Sequence, residues 1–308
     1  MLAPILCPGD TVGLASPSWL ATEETITPAV AALQSLGYRV RLAPHIFAAG
    51  WDYAAAPEER SEGFNALVRD LDIRLVFFGG GEGADDIVPL LDYEAVRRDP
   101  KLYLSYSDGT SILNAIHAKT GLVTLYGQTP GRLPDAVDRR PTDYNLRQFK
   151  AFTTSLPRRH TAAAPWRTLV PGCAEGILAG GYLANTIFAA ATGRLVPETA
   201  ENLVLFVEDH RMFNSVEALS AHIARLEQCG VMPRVRGLLF GHYSVPQDEQ
   251  LLTRLGEKWG IPVAYSDDFG HGENSAILPI GVRAALDTEK CTMEYDWGKE
   301  EQQSMIVV

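Results

Sequence analysis

The chain has 308 residues, 46% of them hydrophobic and 21% charged, and its formal net charge is −11. This composition is typical of a globular protein with one large domain or two of medium size. The acidic balance argues against a nucleic-acid partner, because binding phosphates requires clustered cations. No apolar run approaches the roughly 18 residues that span a bilayer, so we expect no membrane partner. The N-terminus lacks the basic and apolar stretches of a signal peptide, which predicts a cytoplasmic protein.

The cysteines and acidic pairs do not predict a metal or another cofactor. Four cysteines lie far apart and show no C-x-x-C spacing: Cys7, Cys173, Cys229 and Cys291. Reduced thiols are therefore expected, rather than a disulfide framework or a thiolate zinc site. No H-E-x-x-H motif or clustered ligand spacing occurs, and Asp85-Asp86 and Asp267-Asp268 are interpreted as turn and cap residues.

The first half of the chain alternates strand-like and helix-like patterns. Thr27 and Pro28 predict the N-cap and first position of a helix that ends at Leu36. The other elements follow in chain order: strands over 10–17 and 38–42, a charged helix over 57–70, and strands over 73–78 and 122–126. Strands separated by helices in this way predict an α/β fold with a parallel sheet and ligands at its carboxyl edge.

Residues 128–172 carry many prolines and arginines and few periodic apolar runs, which predicts a segment crossing between domains. The pattern then restarts with a strand over 176–183, a helix over 184–192, a strand over 202–207, a helix over 215–229, and short strands over 237–241 and 262–265. We therefore place an N-terminal domain at residues 1–150, a crossing linker at 151–175 and a C-terminal domain at 176–308.

Residues 101–117 read as a short strand, a tight turn that carries Ser107, and a helix. Such an arrangement lifts one hydroxyl above the end of a sheet and points a helix N-terminus at the group it attacks. It is close to the G-x-S-x-G elbow of serine hydrolases, with Ser105 at the first glycine position and Gly109 at the second.

A serine nucleophile needs a proton acceptor, usually a histidine that a carboxylate orients. His271 is the strongest candidate, because it lies in the glycine-flanked turn 268–272 after a strand. The remaining histidines have adequate roles in helices, loops or strand ends: His45, His117, His160, His210, His222 and His242. Glu208 ends an apolar strand, where a buried acid must be paired. A capping role for Glu208, or Asp209 as the acid, stays open.

The glycine-rich segment 79–83 follows a predicted strand, and its backbone amides could bind an anion or an oxyanion. It matches neither a P-loop nor a dinucleotide fingerprint. A plain turn remains the alternative.

In this order the segments resemble the L,D-carboxypeptidase family of serine peptidases, which includes murein tetrapeptide carboxypeptidases and microcin C immunity peptidases. The similar segments cover nearly the whole chain: 8–18, 57–67, 106–110, 121–127, 207–209, 270–271 and 278–281. The resemblance implies an N-terminal parallel-sheet α/β domain, flavodoxin-like or glutamine-amidotransferase-like, with a smaller strand-rich C-terminal domain. It also implies a homodimer.

By position, the resemblance makes Ser107 the nucleophile, His271 the general base and Glu208 the acid that orients it. The oxyanion hole would consist of the backbone N–H of Asp108 and one from the pair Gly80-Gly81. Three positions depart from the family pattern and are candidates for substrate binding: Glu82 replaces an aromatic residue, Tyr182 an asparagine and Ser105 a glycine.

Three functions remain open. The first is a serine carboxypeptidase that forms an acyl-enzyme and cleaves the amide next to a D-amino acid in murein peptides. The second is an amidohydrolase or immunity peptidase acting on an aminoacyl-nucleotide amide, with Trp51 or Trp166 as an aromatic platform. The third is a non-catalytic protein that binds a small anion at 79–83, which predicts that His271 lies far from Ser107.

Overall fold

The computed structural model describes residues 1–19, 21–50, 54–138, 143–210, 215–243 and 246–298. The strands are β1 Thr11–Ala15, β2 Arg39–Leu42, β3 Ile73–Phe78, β4 Leu102–Ser105, β5 Thr124–Tyr126, β6 Arg167–Val170, β7 Cys173–Tyr182, β8 Leu203–Glu208, β9 Val235–His242, β10 Val263–Gly270, β11 Leu278–Ile280, β12 Arg283–Asp287 and β13 Thr292–Asp296. The helices are α1 Glu23–Ser35, α2 Pro57–Arg69, α3 Ala84–Ile87, α4 Tyr93–Arg98, α5 Thr110–Thr120, α6 Leu133–Asp138, α7 Tyr144–Thr154, α8 Leu183–Ala191, α9 Val216–Gln228 and α10 Pro246–Trp259. Short 3-10 turns cover Val88–Leu90, Ser107–Gly109, Pro130–Arg132 and Met232–Arg234.

The first sheet has the strand order β11-β5-β4-β3-β1-β2, and its pairs from β5 to β2 are parallel. The predicted parallel α/β domain is confirmed, and the order 2-1-3-4-5 is that of a flavodoxin-like sheet. The order reverses between β1 and β3, and ligands bind in the crevice beyond the carboxyl ends of strands at such a point. The loops after β1 and β3 are therefore placed to line a site.

The second sheet has the order β13-β12-β7-β8-β9-β10-β6, with β7 to β10 parallel and the outer pairs antiparallel. This confirms the strand-rich C-terminal half. Two glycines bring the end of β7 against its neighbours. A side chain at Gly180 (φ 141°) would place its Cβ 1.7 Å from Phe206 O, and one at Gly181 (φ 136°) would place it 2.3 Å from Thr110 Oγ1.

The two halves are joined by backbone pairing as well as by side chains. Strand β11, which comes late in the chain, pairs antiparallel with β5, and Leu278 lies opposite Tyr126. Asn114 Nδ2 on α5 donates to Gly180 O at 2.8 Å. Helix α7 crosses residue 150 and β6 lies within 151–175, so the proposed domain limits stay a prediction.

The start of α1 differs from the prediction. The N-cap is Thr22, and Thr22 and Thr25 exchange capping bonds, so the helix begins one turn before Thr27. Pro28 lies inside the helix on its exposed face, where water can satisfy the carbonyl that its missing N–H leaves free.

Across the described ranges, no helix is both long and apolar enough to cross a bilayer.

Candidate active site

The turn after β4 presents Ser107 at the carboxyl edge of the first sheet. Ser107 has a φ of 56°, a left-handed conformation that costs a serine on the order of 1 kcal/mol. The turn continues into α5, and Thr110 Oγ1 donates to Ser107 O at 2.6 Å. The predicted strand, turn and helix are all present, and the strained residue is the candidate nucleophile.

Ser105 lies underneath this turn. It is fully buried, its Oγ donates to Phe78 O at 2.9 Å, and a Cβ on Gly109 would come within 2.1 Å of that Oγ. The side chain does not line the cavity described below. Its hydroxyl packs the turn against β3, and a role of Ser105 in substrate binding stays a prediction.

His271 and Glu208 come from the second sheet. Glu208 is the last residue of β8 and is fully buried, and His271 follows Gly270, the last residue of β10. A side chain at Gly270 (φ 100°) would be strained, and its Cβ would lie in tight contact, 3.1 Å from His242 N and 3.2 Å from Glu208 Cβ. This close approach brings the two side chains together.

The three predicted residues form one hydrogen-bonded line. Ser107 Oγ lies 3.3 Å from His271 Nε2, and His271 Nδ1 lies 2.8 Å from Glu208 Oε2. The His271 side chain is 12% exposed and the Glu208 side chain is 0% exposed. The nearly buried hydrogen bond to Glu208 orients the imidazole toward Ser107. The chemical roles of the three residues stay predictions.

Aromatic rings fix the position of His271. The ring centroid of Tyr106 lies 4.6 Å from that of His271, and the ring of Tyr182 lies 5.5 Å away. Arg132 places its guanidinium 5.2 Å from the Tyr106 centroid and donates to Gly272 O at 2.9 Å. Burial raises the pKa of Tyr106 far above its usual range, so this ring stays neutral.

The glycine loop lies directly against the nucleophile. A Cβ on Gly80 would come within 2.8 Å of Ser107 Cβ and 2.8 Å of Tyr106 O, and it would lie 3.4 Å from Asp108 N. The backbone of Gly80 and the N–H of Asp108 are therefore neighbours, as an oxyanion hole requires. Gly81 (φ 145°) packs on Ser18 O, where its Cβ would lie at 2.2 Å.

The buried side chain of Arg60 ties the loops after β1 and β3 together. Its guanidinium donates to Pro17 O at 2.6 Å and to Gly83 O at 2.9 Å, and it pairs with Asp86 at 3.1 Å. Each loop is anchored at one end of the crevice by the same cation. The floor of the site is therefore held by α2, which lies outside it.

A cavity of about 870 Å³ opens in front of Ser107. The acidic residues Glu82, Asp85 and Asp108 line it together with the predicted Tyr182, and the described lining residues include no lysine or arginine. Burial raises the pKa of the Asp108 carboxyl to about 6, and burial likewise raises the pKa of Asp85. The cavity therefore favours a ligand that brings positive charge or hydrogen-bond donors.

Aromatic residues that the sequence did not single out lie at the same cavity. Trp19, which is 38% exposed, and Phe188, which is 43% exposed, both line it. Trp166 is buried, and its Nε1 donates to Asp268 at 2.6 Å, so it is not a platform for a ligand. Trp51 lies outside the described residues. A strand-flanking loop such as that of Trp19 gives no pattern from which its exposure could be read.

Histidines and an aspartate also differ from their predicted roles. The His210 ring lies 5.1 Å from the His271 ring, and His222 lines the cavity. Asp268 is fully buried and accepts from His160 Nε2 at 2.9 Å, so it is more than a turn or cap residue.

In the described part of the chain, no three His, Cys, Asp or Glu side chains converge as metal ligands, and the four cysteines are free thiols.

A tyrosine links both halves of the site. Tyr126 Oη donates to Glu208 Oε1 at 2.6 Å and accepts from Ser107 N at 3.1 Å. Sequence reasoning missed Tyr126, because a buried tyrosine at the end of a strand carries no local signal of a polar partner.

Family models and curated relatives match nearly the whole chain. Models of the LD-carboxypeptidase N-terminal and C-terminal domains match residues 12–127 and 175–286. A candidate carboxypeptidase of Vibrio cholerae is 28% identical, with 96% of this chain and 98% of the relative covered. A probable murein peptide carboxypeptidase of Bacillus subtilis is 29% identical, with 95% and 93% covered. The microcin C7 self-immunity protein MccF of Escherichia coli is 27% identical, with 93% of each covered.

Solved structures of MccF show the same fold. Its apo form superimposes with a TM-score of 0.83 at 26% identity, covering 97% of this chain and 99% of MccF. Its complex with glutamyl sulfamoyl guanosine gives a TM-score of 0.82 at 25% identity, covering 96% and 98%.

Proposed function

The chain belongs to the LD-carboxypeptidase family of peptidases, and from that premise we propose that it is a serine carboxypeptidase acting on cell-wall peptides. It would hydrolyse the amide bond that precedes a D-amino acid. One observation carries the proposal: Ser107 Oγ lies 3.3 Å from His271 Nε2, and His271 Nδ1 lies 2.8 Å from the buried Glu208. Acyl transfer requires a nucleophile, a base and an orienting acid in this relation.

In the proposed reaction, Ser107 Oγ forms a bond to the scissile carbonyl carbon while His271 Nε2 takes its proton. The imidazolium then gives that proton to the leaving nitrogen as the C–N bond breaks, which leaves an acyl ester on Ser107. A water molecule attacks the ester carbon while His271 Nε2 takes its proton, and the imidazolium then returns a proton to Ser107 Oγ as the ester C–O bond breaks and the peptide acid leaves. Throughout, Glu208 accepts from Nδ1–H and so keeps Nε2 directed at Ser107.

The carbonyl oxygen becomes negative in each tetrahedral intermediate and needs fixed donors. We assign this task to the backbone N–H of Asp108 and to one from Gly80 or Gly81. The close approach of Gly80 to Ser107, which no side chain would permit, supports the assignment. Such donors each lower the barrier by on the order of 3 kcal/mol.

The lining of the cavity supports a peptide that carries an amino group. Three acidic residues line it, and the diamino acid of a murein peptide would bring an ammonium next to the scissile bond. Its volume of about 870 Å³ suits a ligand the size of a short peptide. Glu82 and Tyr182, which depart from the family pattern, are the lining residues that would adjust this preference.

The exposed aromatic residues favour a second candidate, hydrolysis of an aminoacyl-nucleotide amide. The MccF structures include complexes with glutamyl sulfamoyl guanosine and aspartyl sulfamoyl adenosine. In this chain Trp19 and Phe188 could stack on a base, whereas the three carboxylates oppose an acidic aminoacyl group. A substrate of this kind would therefore carry a neutral or basic amino acid.

The experiment compares three substrates in the presence of a metal chelator: the tetrapeptide L-Ala-D-Glu-diamino acid-D-Ala, its L-Ala-terminated epimer, and a lysyl sulfamoyl nucleotide. We expect D-Ala release from the first, none from the second, and loss of release in Ser107→Ala. Ser61→Ala, a buried serine outside the cavity, is the matched control and should match wild type. Cleavage of the nucleotide alone would favour the second candidate. Unchanged D-Ala release by Ser107→Ala would refute the mechanism.

The third function, a non-catalytic anion-binding protein, predicts that His271 lies far from Ser107. Their separation of 3.3 Å makes that prediction wrong.

We further propose that the enzyme works in the cytoplasm as a homodimer on a small peptide, with neither nucleic acid nor membrane as a partner. Light scattering on the purified protein tests the dimer, since a single monomeric mass at micromolar concentration would contradict it.

A further inference from the structure

The hydroxyl of Tyr126 makes two hydrogen bonds at the site, one to each half. It donates to Glu208 Oε1 at 2.6 Å and accepts from the backbone N–H of Ser107 at 3.1 Å. Tyr126 ends β5 in the first sheet, and Glu208 ends β8 in the second. The side chains of Tyr126 and Glu208 are completely buried, so water does not compete for the bond between them, and the bond to Ser107 N is partly buried.

These two hydrogen bonds complete a closed ring of hydrogen bonds around the site. From Ser107 Oγ the hydrogen bonds run to His271, on to Glu208, then to Tyr126, and back to the N–H of Ser107 itself. Resting on the proposed function, we infer that Tyr126 is a positioning residue of the reaction, which acts through Glu208 and the backbone of Ser107. It would hold the acid and the nucleophile in register although they belong to different sheets.

The chemistry of the hydroxyl fits this role. Burial, together with the charge of Glu208, raises the pKa of Tyr126 well above its usual range, so the hydroxyl remains a donor at any working pH. Its acceptor side is used by Ser107 N–H, which leaves the donated proton to Glu208. The titratable groups that face Glu208 are Tyr106, Tyr126, Tyr182, His210 and His271.

The bond also sets how tightly Glu208 holds its partner. A donor to Oε1 spreads the negative charge of the carboxylate, so the pull of Glu208 on the imidazolium of His271 is weaker than it would otherwise be. Without that donor the proton stays on His271 up to a higher pH. Loss of the hydroxyl should therefore change the pH dependence of the reaction as well as its rate.

The test is Tyr126→Phe in the full chain, with Tyr103→Phe as the matched control. Tyr103 is also completely buried, in the neighbouring strand β4, but its hydroxyl has no hydrogen-bond partner among the described residues. We expect Tyr126→Phe to lower kcat for D-Ala release about 10- to 100-fold with KM within about threefold. The acid limb of kcat/KM should move up by roughly half a pH unit. Tyr103→Phe should leave both unchanged.

Two further variants separate positioning from a merely structural role. The losses from Tyr126→Phe and Glu208→Gln should not multiply in the double variant, because both act on one network. Replacement of Tyr126 by 4-aminophenylalanine, which keeps a donor, should restore most of kcat. An unmoved acid limb, multiplying losses, or no rescue would overturn the inference. Full activity of Ser107→Ala would instead refute the proposed function, and the inference with it.

Discussion

The buried carboxyl of Asp108 allows a quantitative test of how burial at the site affects the free energy of unfolding. Its carboxyl is 6% exposed and accepts from Ala84 N at 2.7 Å and from Asn185 Nδ2 at 2.9 Å. Burial outweighs these donors and raises the pKa of Asp108 from 3.8 to about 6. The substitution to examine is Asp108→Asn, which keeps the shape of the side chain and removes its titration.

The sign follows from proton binding. Between pH 3.8 and about 6 the unfolded chain ionises Asp108 while the folded chain keeps the proton, so stability falls as the pH rises through this window. The difference of about 2 pKa units corresponds to about 3 kcal/mol at 1.36 kcal/mol per unit. The Asp108→Asn variant has no carboxyl at this position, so it does not lose this free energy as the pH rises. Relative to wild type, the variant should therefore gain about 2 to 3 kcal/mol in unfolding free energy between pH 4 and 7.

The assay is urea unfolding of both proteins at pH 4, 5, 6 and 7, with equal m-values required before the free energies are compared. Loss of the bond from Ala84 N adds a constant offset that does not affect the pH trend. Asp287→Asn is the control, because the hydrogen bond from Lys290 lowers the pKa of Asp287 to about 2, and its difference from wild type should stay nearly level. A level difference for Asp108→Asn would refute the reasoning.

Three other substitutions probe the cavity and its supports. Gly80→Ala should lower kcat about 100-fold or more, because its methyl would lie 2.8 Å from Ser107 Cβ. For Gly79→Ala, whose methyl would lie 3.6 Å from the Trp19 ring, the loss of kcat should be at least tenfold smaller. Equal losses of kcat in the two variants would contradict the geometry. Glu82→Gln should lower kcat/KM two- to fivefold for a lysine-containing peptide but not for its norleucine analogue, and salt should reduce the difference. Arg60→Met should lower the unfolding free energy by about 3 kcal/mol in urea titrations, because it frees three backbone carbonyls and Asp86. A loss under 1 kcal/mol would contradict its anchoring role.

Local patterns were sufficient for the parts of the site that a short segment specifies. The turn at Ser107, the acid that ends β8 and the glycine-flanked His271 each carry such a pattern, and the structure brings all three together. The parallel sheet was likewise predictable from strands that alternate with helices. The start of α1 was not, because Thr22 and Thr25 cap it before the proline that suggested its first turn.

Other features depend on contacts between distant segments, and no local sequence pattern predicts them. Tyr126 became informative only when β5 was placed against β8, and Trp19 only when its loop was placed beside Gly81. Ser105 looked like a change at the surface of the site, yet its hydroxyl bonds to the neighbouring strand. Burial and partner identity are tertiary properties, so these residues could not be assigned from spacing.

The pairing of β11 with β5 has a consequence for how a ligand enters. The segment that carries His271 continues within a few residues into β11, whose Leu278 lies opposite Tyr126 at the edge of the first sheet. Many enzymes with two lobes admit ligands by swinging the lobes apart on a hinge. Here such a swing would separate His271 from Ser107 and would strain the β11–β5 pairing that follows a few residues later. Retention of the β11–β5 pairing therefore favours entry and exit through the mouth of the cavity over a hinged opening of the lobes.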